Sequence, residues 1–340
     1  MTVRVGVIGA GMIGQDHIRR ITQVLSGGAV VAIADIDQAR AERVACGLPG
    51  VTVHPAASDL VRDSRVDAIL VTSWGPTHEE HVLAGIAAGK PVFCEKPLAT
   101  TAAACLRIVA AETAAGRRLV QVGFMRRYDA GYLALKAALD EDRIGTPLLM
   151  HCAHRTASPP GYGFTTETMI SDAAVHEIDV ARWLFGDEIV ATTILTPRRS
   201  RGAAAGLHDP LVVVLEMASG VLVDVEVFVN ASYGYDIRAE IVGERGAVAL
   251  ADADQVRTAV GGRRVGRIPA DWRERFGRAF DAELQDWLNA AATGTSAGPS
   301  CWDGYAATVV AETCVAALRT GSRTAAVMHP SPGFYARADR

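Results

Sequence analysis

Asp172, His176 and Asp179 lie at i, i+4 and i+7 within the stretch 169–185, MISDAAVHEIDVARWLF. That spacing puts their side chains on one face of a predicted helix. The other stripe, Ala173, Ile178, Ala181, Trp183 and Leu184, is mostly apolar and suits a core. Two carboxylates beside an imidazole can move a proton near neutral pH. A capped helix with a satisfied histidine would show the same pattern. Lys96 is the second focus. It follows the apolar strand 91–94 and precedes Pro97. Its ammonium could stabilise negative charge developing on an oxygen. Its competing readings are a phosphate or carboxylate contact, or an ion pair with Glu95.

The elements that must position these residues begin at the N-terminus. Residues 3–8 are rich in β-branched types, as a buried parallel strand should be. Gly9-Ala10-Gly11-Met12-Ile13-Gly14 follows, a G-x-G-x-x-G turn between that strand and a helix through His17, Ile18 and Ile21. Gly9 permits the tight turn, Gly11 lets backbone approach a pyrophosphate, and Gly14 lets helix and strand pack closely. The N–H groups around Met12 and Ile13 then face the phosphates. The next strand, 30–34, ends in Asp35, placed to accept hydrogen bonds from an adenosine ribose. A carboxylate there repels a 2′-phosphate, so NAD is expected over NADP. Arg40 and Arg43 on the following helix could soften this preference but are read as helix-surface charges.

Strands 68–72, 91–94 and 119–122 alternate with helices, which predicts a doubly wound parallel sheet. Ligands of such a sheet bind at the C-terminal strand ends. Ser73, Trp74, His78, Glu95 and Lys96 all fall there and are candidate cofactor contacts. Thr77 is placed to cap the helix after it.

Beyond residue 124 the pattern changes. A helix over 128–139 with Asp129 as its cap precedes a strand over 146–153, followed by His154 and Arg155. Segments 189–195, 211–217, 221–229 and 238–242 are rich in valine and isoleucine and lack intervening helices, so this sheet is expected to be mostly antiparallel. Residues 221–229 alternate strictly, with Asp224 and Glu226 on one face. Ser219-Gly220 signals a hairpin. Helices over 272–291 and 304–319 close the chain. A sheet covered by helices on one face needs a partner for the other, which favours oligomerisation. The division expected is 1–124 for a nucleotide domain and 125–340 for a substrate and oligomerisation domain.

The 340 residues carry a net charge of -4, with 49% hydrophobic and 21% charged residues. With a pI near 6.1, nothing points to nucleic acid or an anionic membrane as partner. Six cysteines occur without a CxxC or other close metal-ligand spacing, so no metal site is expected. Scattered thiols, no signal-peptide layout and no apolar run of spanning length lead to a cytoplasmic expectation. The arginine-rich stretches 198–201 and 263–264 are read as solvated loops.

GVIGAGMIG at 6–14, VTSWGPTHE at 71–79 and VFCEKPLATT at 92–101 resemble the Gfo/Idh/MocA family of nicotinamide-dependent sugar and polyol dehydrogenases. LVQVGFMRRYDAGY at 119–132, HCAHR at 151–155, VHEIDVARWL at 175–184, YGYDIRAEIVGERG at 233–246 and SCWDGYAA at 300–307 resemble its inositol branch. The likeness runs from residue 3 to about 318. It implies an N-terminal Rossmann domain, a C-terminal α/β domain with a large, mostly antiparallel open sheet, and a homotetramer joined through those sheets. Lys96 corresponds to the lysine of the EKP element, and Asp172 and His176 to the paired aspartate and histidine. The implied reaction is NAD-dependent oxidation of a ring hydroxyl of an inositol, myo-inositol to 2-keto-myo-inositol. In it His176 is the general base, Asp172 orients it, and Lys96 steadies the alkoxide. Arg126, Arg127, His154, Asp179 and Tyr235 are candidate substrate contacts alongside Asp172 and His176. Thr156 stands where the inositol branch is expected to carry asparagine, and the loop 157–168 also departs. Scyllo- or chiro-inositol or an aldopyranose such as glucose therefore stay open as substrates. A nicotinamide-binding regulator without turnover is the alternative of a different class.

Overall fold

The computed structural model describes residues 2–159, 163–251 and 258–335. The first sheet comprises β1 (Val3–Ile8), β2 (Gly28–Ala34), β3 (Thr52–His54), β4 (Ala68–Val71), β5 (Val92–Glu95) and β6 (Val120–Gly123). Its order is β3-β2-β1-β4-β5-β6, with all neighbours parallel. The order reverses at β1, so the crevice at the C-terminal ends of β1 and β4 is the ligand position of a doubly wound sheet. Helices α1 (Met12–Gln23), α2 (Gln38–Cys46), α3 (Ala57–Arg62), α4 (His78–Ala87) and α5 (Ala102–Ala115) make the crossovers. Val5, Val7, Ile33, Ile69, Leu70, Val92 and Phe93 are fully buried. Helices cover both faces, which is why these strands read as continuous apolar runs. β3 and α3 have no counterpart in the sequence reading, because Thr52–His54 is too short and too polar to signal a strand.

The chain forms two compact units. One contains Met1–Phe124, Phe280–Thr308 and His329–Arg340, the other Met125–Ala279 and Val309–Met328. The expected boundary at 124/125 falls where the first unit's N-terminal stretch ends, and 280–308 also groups with that unit. Leu284, Trp287 and Leu288 of α9 (Trp272–Ala291) are buried in the same core as Val3, Val5, Ile21 and Phe93. Trp287 alone is worth about 3–5 kcal/mol there against alanine. The long helices α9 and α10 (Cys301–Thr320) each begin in one unit and end in the other.

The second unit has α6 (Ala130–Asp140), capped by Asp129, whose Oδ1 accepts from the Gly131 and Tyr132 amides. β7 (Pro147–Arg155), the one-turn α7 (Thr166–Thr168), a π-helical turn at Met169–Ala174 and α8 (Val175–Phe185) follow. Then come β8 (Ile189–Leu195), β9 (Leu211–Met217), β10 (Leu222–Phe228), β11 (Asp236–Gly243) and β12 (Gly246–Ala249). β13 (Thr258–Val260) pairs with β14 (Arg263–Val265) as a separate ribbon, so Arg263-Arg264 belongs to a strand and not to the expected loop. β15 (Thr324–Ala325) completes the order β12-β11-β7-β10-β9-β8-β15. Only the β7–β10 pair is parallel among the described pairings of this sheet. Val223, Val225 and Val227 face the core, while Asp224 and Glu226 lie on the half-exposed face. On that face His151 lies 2.5 Å from Asp224. Arg155 bridges Glu226 and Asp236 there as well.

His154 and Arg155 lie within β7 and not after it, so the strand's alternation sends them to opposite faces. The single helix expected over 169–185 is interrupted by its π turn, and its polar stripe is no more exposed than its apolar one. Every residue from Val175 to Arg182 is buried. Arg199 lies in an exposed loop, as expected, and its guanidinium donates to the carbonyls of Leu207, Ala203 and Ala204.

Candidate active site

In the first unit β1 delivers the chain into Gly9, which takes φ +98°, a conformation glycine adopts without a steric penalty. A Cβ there would come within 2.5 Å of the Ser73 amide nitrogen. One on Gly14 would collide with the Gly9 carbonyl, whereas one on Gly11 would meet nothing within 4 Å. Gly9 and Gly14 serve close packing, and Gly11 leaves its approach open. Thr72 Oγ1 donates to the Gly9 carbonyl at 2.6 Å and fixes the loop. No side chain caps α1 and no acidic residue sits in its first turn, so its N–H groups remain available to a pyrophosphate.

A cleft of about 640 Å³ opens here, lined among others by Gly9, Gly11, Met12, Ile13, Asp35, Ser73 and Trp74. Three large apolar side chains stand in it exposed: Met12, Ile36 and Trp74. These suit the flat faces of a dinucleotide. Burial by itself would push the Asp35 carboxyl up. Hydrogen bonds from Arg40 and from the Ala10 and Asp37 amides outweigh it and hold Asp35 below the usual carboxylate range. Arg40 is thus not the plain helix-surface charge expected, since it forks onto Asp35 and lines the cleft. Arg43 is exposed as expected.

His78 and Glu95, expected as cofactor contacts, are both bonded within the protein. The His78 ring is buried, with one nitrogen 2.7 Å from the Pro97 carbonyl and the other 3.0 Å from the Ser73 carbonyl. It ties the ends of β4 and β5 together and does not line the cleft. Glu95 is buried too. Its Oε1 lies 2.7 Å from His17 Nε2, and Oε2 accepts the Lys96 amide at 3.2 Å. Glu95 therefore sets the backbone from which Lys96 projects. Thr77 holds the helix-capping position without a side-chain cap. Its hydroxyl donates to the Trp74 carbonyl and pairs with Ser73 Oγ at 2.8 Å.

In the second unit α8 carries His176, Glu177 and Asp179. A π turn spaces residues more widely than 3.6 per turn, which brings side chains four apart nearer to axial alignment. Asp172 lies in that turn and His176 in the first turn of α8. The His154 ring centroid is 6.3 Å from that of His176 and 6.1 Å from that of Tyr235. These three candidates form one cluster. Behind them Arg126 pairs with Glu177, both almost fully buried. Both Arg126 Nη2 and Glu177 Oε2 reach His154 Nδ1, at 3.2 and 3.1 Å. Burial would push the Glu177 carboxyl up, but the Arg126 charge and His154 keep it below the usual range. Burial pushes the Tyr235 hydroxyl up to about 12, so it stays a donor. Arg127 forks onto buried Asp179 at 2.6 and 3.0 Å. Arg126, Arg127 and Asp179, expected as substrate contacts, are held in ion pairs, Arg126 with Glu177 and Arg127 with Asp179. Thr156 extends β7 by pairing its amide with the Phe228 carbonyl at 2.9 Å. Of the loop 157–168, residues 160–162 lie outside the described residues. Among the described residues no cluster of three or more His, Cys, Asp or Glu could hold a metal ion, and no helix is long and apolar enough to cross a membrane.

Residues 3–124 match the oxidoreductase family with an NAD-binding Rossmann fold, and residues 132–249 match the GFO/IDH/MocA C-terminal domain. The chain belongs to the Gfo/Idh/MocA oxidoreductase family. It is 53% identical over 335 residues to inositol 2-dehydrogenase 3 of Saccharopolyspora erythraea, covering 98% of each chain. It is 52% identical over 339 residues to inositol 2-dehydrogenase of Azotobacter vinelandii, covering 99% of this chain and 100% of that one. The crystal structure of myo-inositol dehydrogenase from Lactobacillus casei in complex with NAD(H) and myo-inositol matches with a TM-score of 0.95 at 36% identity. That match covers 98% of this chain and 100% of that one. The cofactor is NAD, through the NAD-binding Rossmann fold of residues 3–124. Sequence reasoning passed over His17, Ile36, Thr72 and Glu177. The first and last are buried polar residues whose partners are remote in sequence. Ile36 had a usable signal, an apolar residue directly after the ribose carboxylate.

Proposed function

We propose that the protein is an NAD-dependent inositol 2-dehydrogenase that oxidises myo-inositol to 2-keto-myo-inositol. The likeness to two inositol 2-dehydrogenases over almost the whole chain carries this reading. NAD, when bound, accepts the hydride from the substrate carbon. His176 takes the hydroxyl proton. Asp172, one turn earlier, orients the imidazole and stabilises its cation. The Lys96 ammonium stabilises the alkoxide as it forms. Tyr235 and His154 hold neighbouring ring hydroxyls, and a site built around such groups rejects analogues that misplace them. Arg126 and Arg127 are each matched by a buried carboxylate, Glu177 and Asp179, which suits a neutral polyol better than a phosphorylated one.

One observation favours a second reading of the substrate. Thr156 replaces the expected asparagine, which leaves scyllo-inositol, chiro-inositol and glucose as rivals to myo-inositol. Assay of NAD and NADP against that panel decides. Myo-inositol with NAD should give the highest kcat/KM. A higher value for another polyol moves the substrate, and no turnover with any of them would make the chain a nicotinamide-binding regulator. The exposed sheet face, with Leu149, Leu222, Arg238 and Glu240, supports a homotetramer joined through the second sheet. Light scattering on the purified protein checks that. We place the enzyme in the cytoplasm, where its six free cysteines would stay reduced.

A further inference from the structure

Asp35 has no acceptor position to spare. Its Oδ2 takes the Ala10 amide at 2.6 Å and Arg40 Nε at 3.2 Å. Its Oδ1 takes the Asp37 amide at 2.8 Å and Arg40 Nη2 at 2.7 Å. A carboxylate offers roughly four lone-pair positions, so the set is full. Two donors are main-chain groups held by the glycine loop and by the turn into α2. The other two belong to one long side chain, 35% exposed and lining the same cleft. An adenosine ribose needs acceptor positions on this carboxylate.

We propose that Arg40 is a specificity-determining residue: it occupies the ribose positions of Asp35 until the NAD diol displaces it, and it is the cation that a 2′-phosphate meets. This rests on the reading of the cleft as the adenosine half of the NAD site. Arg40 then acts on cofactor choice from both sides. NAD must break a forked, charge-assisted pair before its ribose can bind. NADP instead gains a guanidinium, freed from Asp35, against its extra phosphate. Arg40 therefore narrows the preference for NAD that Asp35 creates.

Calorimetric titration of the full chain with NAD or NADP, without substrate, tests this on binding alone. Arg40→Met keeps the length of the side chain and removes its fork. It should bind NAD a few-fold more tightly and NADP about tenfold more weakly, the size expected for one lost charged contact. Arg43→Met removes an exposed charge from the same helix and should leave the ratio of the two constants unchanged. A thermal melt of each variant without cofactor reports folding. If Arg40→Met weakened both cofactors alike, or neither, Arg40 would be part of the cleft wall and the proposal would fall. The same holds if Arg43→Met moved the ratio as far. A wild-type chain that bound NAD nowhere would overturn the cleft assignment itself, a result distinct from an unmoved ratio.

Discussion

His17 Nε2 and Glu95 Oε1 lie 2.7 Å apart in the core of the first unit, joining the glycine-loop helix to the end of β5. The ring is wedged between Phe93 and Phe280, with centroids 5.9 and 5.6 Å away. The other Glu95 oxygen holds the Lys96 amide. One carboxylate thus keeps the glycine-loop helix and the lysine backbone in a common register.

Glu95→Ala leaves a buried imidazole without its acceptor, which costs about 1–3 kcal/mol. The melting temperature should fall by several degrees. The variant should also lose turnover at saturating NAD, because the Lys96 backbone is no longer held. Full kcat in a destabilised Glu95→Ala would show that the carboxylate serves stability alone.

Lys96→Ala should bind NAD almost as tightly as the wild type, yet lose about two to three orders of magnitude in kcat, as oxyanion-type donors do. kcat and kcat/KM should fall together, since the contact is made in the transition state. Calorimetry and steady-state kinetics on the same preparation separate the two effects. Normal turnover would reduce Lys96 to a structural role.

The rate of inositol oxidation should rise with pH as the base loses its proton. His176→Ala should flatten that limb and remove most activity. Asp172→Asn should leave a slower enzyme with NAD binding intact. A pH profile unchanged by His176→Ala would assign the base to another group, which a coupled site permits.

Part of the acid sensitivity should trace to Glu177, beside other lowered carboxyls such as Asp35 and Asp67. The Glu177 carboxyl is held below the ordinary range in the folded chain. The unfolded chain therefore binds the proton more readily, and stability is lost as pH falls below about 4.3, the ordinary glutamate value. Glu177→Gln should flatten this acid limb in melts across pH. It should also cost about 3–5 kcal/mol at neutral pH by stranding the Arg126 charge. Equal acid sensitivity in both proteins would place the effect elsewhere.

Much of this architecture was legible along the chain. The parallel sheet, the glycine turn and Asp35 follow from patterns within some thirty residues of one another, a scale on which period and turn chemistry act. The same holds for Asp129 as a cap and for the alternation of β10. Partnership was not legible. Arg126, Arg127, His154 and Asp179 looked like loose polar groups waiting for a substrate, yet their ion pairs span 23 to 52 residues. Glu95 and His78 sat at the ligand edge by sequence, and only folding turned their side chains inward. Trp287 reads as one apolar residue in a C-terminal helix until it fills the first unit's core. The reason is physical. Local pattern decides which face of an element is apolar, but a buried charge survives only where a distant chain segment supplies its counter-charge, and that meeting is made by tertiary packing.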